Sequence, residues 1–271
     1  MRQFRRGRLL FDLRDEGPID GAPVVLLHGF PQDGSSWDRV VPLLHGEGLR
    51  TLVPDQRGYS PGARPLERSA YRLEWLAADV LALLDAVGAP RAHLVGHDWG
   101  GSVAWAVAGA HPGRVASLTA LSTPHPRAYA RSMVRSRQVL LSWYMAFFQL
   151  PALPEAVIRP RLETALRDTG LPEADAARYA NRMAEPGALT AALNWYRAMP
   201  LGRYLAPAIT VPTTYVWGRE DFALARTPAE LTAEHVEAPY RFVELSAGHW
   251  LPETEPEELA GLITLQAGEA G

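Results

Sequence analysis

The sequence predicts an α/β fold, a mostly parallel sheet flanked by helices with one helical insertion, and two observations carry that prediction. Over residues 1–126, short β-rich runs alternate with helical patterns, the signature of parallel strands joined by helical crossovers. From 127 to 205 no β-rich run occurs, and the β rhythm resumes only after 206, so the two β-containing parts should pair into one sheet. A chain of 271 residues can carry such a fold and bury roughly three quarters of its unfolded surface.

PVVLLHG at 23–29 reads as the first buried strand, RTLVP at 50–54 as the second and RAHLVGHD at 91–98 as the third. Between the last two, Leu73, Leu76, Val80, Leu83, Leu84 and Val87 recur at helical spacing, and Gly88 stands where a helix ends. After Asp98, GGSVAWAVAGAHP predicts a small-residue helix stopped by Pro112, followed by a strand in RVASLTALSTP at 114–124. Helical patterns then dominate in RSRQVLLSWYMAFFQL, DAARYANRMAE and LTAALNWYRAM. Strands return in AITVPTTYVWG (208–218) and YRFVELSAG (240–248). The expected organisation is a core of 1–126 and 206–271 with a helical lid of 127–205.

Composition narrows the chemistry. With 47% hydrophobic residues, 21% charged residues and a net charge of −3, the chain has no basic excess for holding nucleic acid. All 27 basic residues are arginine, which removes the Walker lysine, the Schiff-base lysine and the lysine nucleophile. Absent cysteine removes disulfides and thiolate chemistry. The opening MRQFRRGRLLFDLRDEG has no apolar signal region, and no stretch reaches the length of a membrane span, so a cytoplasmic protein without a membrane partner is expected. The eight histidines are scattered without H-E-x-x-H spacing, and HGFPQDG rather than GxGxxG follows the first strand. No metal and no cofactor are expected, and water is the only cosubstrate; a monomer or a homodimer fits equally well.

The sharpest motif is Gly96-His97-Asp98-Trp99-Gly100-Gly101 at a strand end that opens a helix. Glycines two residues either side of the central residue permit the tight strand-to-helix turn that presents a nucleophile, here an aspartate. An acid and a histidine then follow in the order such an arrangement uses: Asp221 after the strand ending in Tyr215-Val216-Trp217-Gly218, and His249 after the next strand. Glu220, adjacent to Asp221, is the alternative acid. A carboxylate bonded to His249 would hold the tautomer that accepts a proton from water. His28-Gly29-Phe30-Pro31 closes the first buried strand and would bring the Phe30 amide beside that of Trp99 as an oxyanion hole.

Taken with DQRGYSPGARP at 55–65, SWYMAFFQLP at 142–151, NWYRAM at 194–199, WGREDFAL at 217–224 and GHW at 248–250, these motifs make the chain resemble the α/β-hydrolases, and within them the epoxide hydrolase branch. The resemblance implies that Asp98 attacks an epoxide carbon to form an alkyl-enzyme ester, that His249 with Asp221 activates water, and that Tyr196 donates to the departing oxygen. The second lid tyrosine of the family pattern falls at Phe147, which has no hydroxyl; Tyr144, three residues earlier on the same helix face, can supply it. His28, Pro31, Tyr144, Phe147, Phe222 and Trp250 are the expected pocket residues, which with Phe30 and Trp99 imply a hydrophobic small-molecule substrate. A haloalkane dehalogenase would use the same Asp98, Asp221 and His249 with Trp99 on the halide, although Phe30 replaces its second donor. An ester or lactone hydrolase and a non-catalytic ligand sensor are the remaining alternatives on this fold.

Overall fold

A strand covered on both faces reads as a continuous apolar run, and Val24, Val25, Leu26 and Leu27 are fully buried for that reason. They belong to the middle of an eight-stranded sheet in a computed structural model that describes residues 1–202 and 207–270. The strands are β1 (Gln3–Arg6), β2 (Leu9–Glu16), β3 (Pro23–Leu27), β4 (Arg50–Pro54), β5 (Ala92–His97), β6 (Val115–Leu121), β7 (Thr213–Gly218) and β8 (Tyr240–Leu245). Their spatial order is β1-β2-β4-β3-β5-β6-β7-β8, with the β1–β2 and β2–β4 pairings antiparallel and every later pairing parallel.

Side chains alternate across the sheet and sort the core into two layers. Val25 and Leu27 point into one with α2 (Leu73–Ala86) and α3 (Trp99–Ala110). Val24 and Leu26 point into the other with α1 (Val41–Gly46) and α13 (Pro256–Glu269). Gly88 ends α2 at φ +70, the left-handed conformation expected of it.

Between β6 and β7 the described residues form helices only: α4 (Pro126–Ser132), α5 (Gln138–Leu141), α6 (Trp143–Phe147), α7 (Leu153–Ile158), α8 (Leu162–Asp168), α9 (Glu173–Ala184) and α10 (Ala188–Ala198). The expected lid–core junction at 205 and 206 lies outside the described residues. After β7 come α11 (Arg226–Leu231), β8 and the short α12 (Leu251–Thr254) before α13. No helix among the described residues is long and apolar enough to cross a membrane.

The structure departs from the sequence reading at two places. The opening residues form the hairpin β1–β2, in which Phe4, Phe11 and Leu13 face the core while arginines and acids alternate outward. The expected strand at 208–218 is shorter, because Pro212 has no N–H for a ladder; Ile209 makes only a single bridge to Val236, and β7 begins at Thr213.

Strand order is what assembles the site. The chain moves from β3 to β4 on one side, then returns past β3 to β5, so the loops after β3 and β5 border the crevice where the direction reverses. Register pairs Leu27 with Gly96, Leu121 with Val216 and Gly218 with Leu245. The segments carrying Phe30, Asp98, Asp221 and His249 therefore leave the sheet along one edge.

Candidate active site

Asp98 sits at φ 48 and ψ −120 between the end of β5 and the start of α3. A non-glycine residue held there stores strain of about 1–3 kcal/mol, which persists only where the surroundings fix it. Gly96 and Gly100 allow the bend: a Cβ on Gly96 would collide with the Gly100 carbonyl, and one on Gly100 with the Leu27 carbonyl. The Thr123 hydroxyl donates to the Asp98 carbonyl at 2.7 Å.

The Asp98 carboxylate is partly buried, and its Oδ2 accepts the Phe30 amide at 2.9 Å. Burial raises its pKa above the ordinary carboxylate value, while the His249 charge and the amides of Phe30 and Trp99 pull against that rise. Both amides thus hydrogen-bond the Asp98 carboxylate, where negative charge is already held.

His249 is 3% exposed, and its Nδ1 lies 2.8 Å from Asp221 Oδ2. The other Asp221 oxygen accepts the amides of Ala223 at 2.8 Å and Leu224 at 3.0 Å, which fixes the carboxylate plane. Glu220 is exposed and does not meet His249 in this way, which separates the two adjacent acids. Burial depresses the imidazole pKa, but the charge and hydrogen bond of Asp221, with Asp98 adding to them, bring it up to about 8.

Above Asp98 lies a cavity of about 510 Å³ lined by Trp99, Tyr129, Met145, Trp195, Tyr144 and Tyr196, among others. The Tyr144 and Tyr196 rings are 6.1 Å apart. Burial first, and the Asp98 charge second, raise both phenols above their ordinary pKa, so each keeps its proton at neutral pH. Trp99 stands edge-on to Tyr196 at 5.0 Å, and Phe30 and Phe148 box the same ring at 5.4 and 4.9 Å.

Several expected pocket residues lie elsewhere. His28 is fully buried beneath the site, its Nε2 accepting the Gln56 amide at 3.1 Å, so it braces the β3 loop instead of lining the cavity. Pro31 is likewise buried, joined to Phe30 by a cis peptide bond. Phe147 packs against Trp143 and Phe148 at 6.4 and 6.0 Å, and it is Tyr144, one turn earlier, that lines the cavity. Phe222 and Trp250 flank the His249 ring at 5.2 and 5.1 Å, outside the main cavity wall, and Trp250 donates to Thr169 at 3.1 Å.

A buried polar chain behind His249 was not predicted from sequence. Gln32 Oε1 accepts the Gly29 amide at 2.9 Å and lies 2.8 Å from His97 Nδ1, while His97 Nε2 is 2.8 Å from the His249 carbonyl. Gln32 Nε2 and the Tyr179 hydroxyl both donate at 2.7 Å to Glu253, whose carboxyl burial pushes up to about 7. These residues tie the Phe30 loop, the His249 loop and α9 together. Gln32 and Glu253 are 221 positions apart, a separation that leaves no local pattern.

The family model for the alpha/beta hydrolase fold matches residues 22–256. The chain belongs to the α/β-hydrolase family. It is 36% identical to the AB hydrolase superfamily protein YfhM of Bacillus subtilis over 92% of this chain and 90% of that protein. It is 35% identical to Epoxide hydrolase A of Mycobacterium tuberculosis over 90% of this chain and 89% of the relative. Among solved structures, Epoxide Hydrolase A from Mycobacterium thermoresistibile superposes with a TM-score of 0.85 at 29% identity, over 98% of this chain and 97% of that one. These likenesses put the α/β-hydrolase in the epoxide hydrolase-like branch, and it is a hydrolase.

Proposed function

We propose that the enzyme opens small or medium hydrophobic epoxides to vicinal diols through an ester on Asp98, with residues 127–205 serving as its lid. The observation that carries this reading is the meeting of two protonated phenols, the partly buried Tyr144 and the buried Tyr196, with the Asp98 carboxylate in one apolar cavity. A carboxylate is a suitable nucleophile for a strained ether carbon, and a phenol is a suitable donor to the alkoxide that leaves.

Asp98 Oδ1 forms a bond to one epoxide carbon, the C–O bond breaks, and the departing oxygen takes the proton of Tyr144 or Tyr196. His249 Nε2 then accepts a proton from water, and the hydroxide adds to the carboxyl carbon of Asp98. Charge collects on Oδ2, which the amides of Phe30 and Trp99 stabilise. Collapse expels the diol oxygen, which takes its proton from the imidazolium. The acid proton left on Asp98 restores the phenol, so the net reaction is epoxide plus water to diol.

In this scheme water never touches the epoxide. A single turnover in 18O-water is expected to leave the first diol unlabelled and to put the label in the Asp98 carboxylate. Label in the first diol would instead mean that His249 directs water straight onto the substrate, as an ester hydrolase would. The dehalogenase reading lacks half of its halide cradle: Phe30 offers no side-chain donor to stand beside the Trp99 indole.

The charge arrangement also sets a pH dependence. His249 titrates at about 8 partly because Asp98 is anionic. Alkylation shifts that charge from Asp98, which acts on the imidazole, to the phenol that gave up its proton, so the imidazole pKa should fall in the ester intermediate, and the step that needs neutral His249 is lost only as pH drops through the lower value. The acid limb of ester hydrolysis, read by rapid-quench single turnovers, is expected below the His249 midpoint read by NMR in the free enzyme. An acid limb at or above the free-enzyme midpoint contradicts a base sitting beside the alkylated carboxylate.

A further inference from the structure

We propose that the outer face of the segment running from the end of α4 through α6 docks on an anionic lipid surface. Between Val134 and Trp143 this stretch is turned inside out. Gln138 and Ser142, four residues apart and therefore on one helix face, are buried and hydrogen-bonded to each other at 3.0 Å, and Gln138 also donates to the Ala223 carbonyl at 2.8 Å. Four of its large apolar residues point the other way: Val134 is 82% exposed, Leu140 71% and Trp143 67%, with Val139 beside them. An amphipathic helix ordinarily does the reverse, and so dense a group of large apolar side chains within ten residues marks a contact surface.

Charge selects the occupant. From Trp99 to Pro154 the chain contains no aspartate or glutamate and five arginines. Arg131 pairs with Glu234, whereas Arg135 and Arg137 are exposed and have no carboxylate partner among the described residues. Arginines interleaved with tryptophan, leucine and valine suit the boundary between anionic headgroups and acyl chains. A second copy of this chain suits the face poorly, because a two-fold contact would set the same arginines against each other. The expectation of no membrane partner rested on the lack of a spanning stretch, which does not bear on a surface contact, and the net charge of −3 averages away this local cationic run.

The face also adjoins the cavity. Tyr129, Met133, Tyr144 and Met145, from the inner side of the same segment, line it. An apolar substrate dissolved in the bilayer would then have only one helical layer to pass.

Binding can be read without any turnover, so its failure is separate from failure of the epoxide assignment. Co-sedimentation of the full chain is compared between phosphatidylcholine vesicles and vesicles of phosphatidylcholine with phosphatidylglycerol. Wild-type protein is expected to sediment with the anionic vesicles, less so as salt rises, and Arg135→Glu with Arg137→Glu to weaken binding about tenfold. Trp143→Ser with Leu140→Ser should weaken it at every salt concentration. All four sites are exposed, and unchanged thermal unfolding would show that the variants remain folded. Equal sedimentation with both vesicle types, or variants that bind like wild type, would overturn the proposal. So would a dimer in sedimentation equilibrium that Trp143→Ser dissociates, because the face would then belong to a second copy.

Discussion

Removing the imidazole, as His249→Ala, is expected to stop the enzyme halfway and leave substrate attached to Asp98. Attack by Asp98 needs the carboxylate, the phenols and an apolar cavity, none of which the substitution removes. Ester hydrolysis needs a base beside the acyl carbon, and the Nδ1 bond to Asp221 commits Nε2 of His249 to that task. Loss of such a base costs about 10²–10⁴-fold in the step it serves, so the ester should outlive many turnover times of the wild-type enzyme. Intact mass after exposure to an epoxide should rise by the whole mass of the substrate, and Asp98→Ala in the same background should abolish the gain. A gain of the substrate less hydrogen halide from a haloalkane panel would reassign the chemistry. No adduct from either panel would remove Asp98 as nucleophile and leave a water-attack hydrolase or a ligand sensor.

The second large effect concerns the tyrosines. Removing one preorganised donor from a developing oxyanion costs about 10²–10³-fold. Tyr144→Phe and Tyr196→Phe are each expected to slow alkylation by about that much, and the double variant by much more than either, because no donor then remains for the alkoxide. Each change deletes only a hydroxyl from a ring that stays packed, Tyr196 between Trp99, Phe30 and Phe148, so folding and ester hydrolysis should be little altered. Single-turnover alkylation rates decide the matter: an unchanged rate in Tyr144→Phe would make Tyr196 the lone donor and Tyr144 a wall of the cavity.

Much of this site is legible because its chemistry depends on short backbone devices. Gly96 and Gly100 are required by two close carbonyl approaches around one strained residue, so the turn at Asp98 shows in six letters. Asp221 and His249 follow because loops at strand ends gather along one edge of a parallel sheet. The hairpin β1–β2 escaped notice because its apolar positions, Phe4, Phe11 and Leu13, are sparse among arginines and acids. Tyr179 and Glu253 escaped for a different reason: each looks like an ordinary helix residue until the other is beside it.

The sequence by itself determined the parallel part of the sheet, its helical insertion and the placing of Asp98, an acid at 220 or 221, and His249 at strand ends, since hydrophobic period and glycine placement are local properties of the chain. Tertiary structure decided which of the acids 220 and 221 meets the imidazole, which of Tyr144 and Phe147 enters the cavity, and that His28 braces a loop. Those choices turn on the direction of a side chain over a few ångströms. That direction is set by packing between segments distant in sequence, through pairs such as Phe30 with Tyr196 and Gln32 with Glu253, which no local pattern encodes.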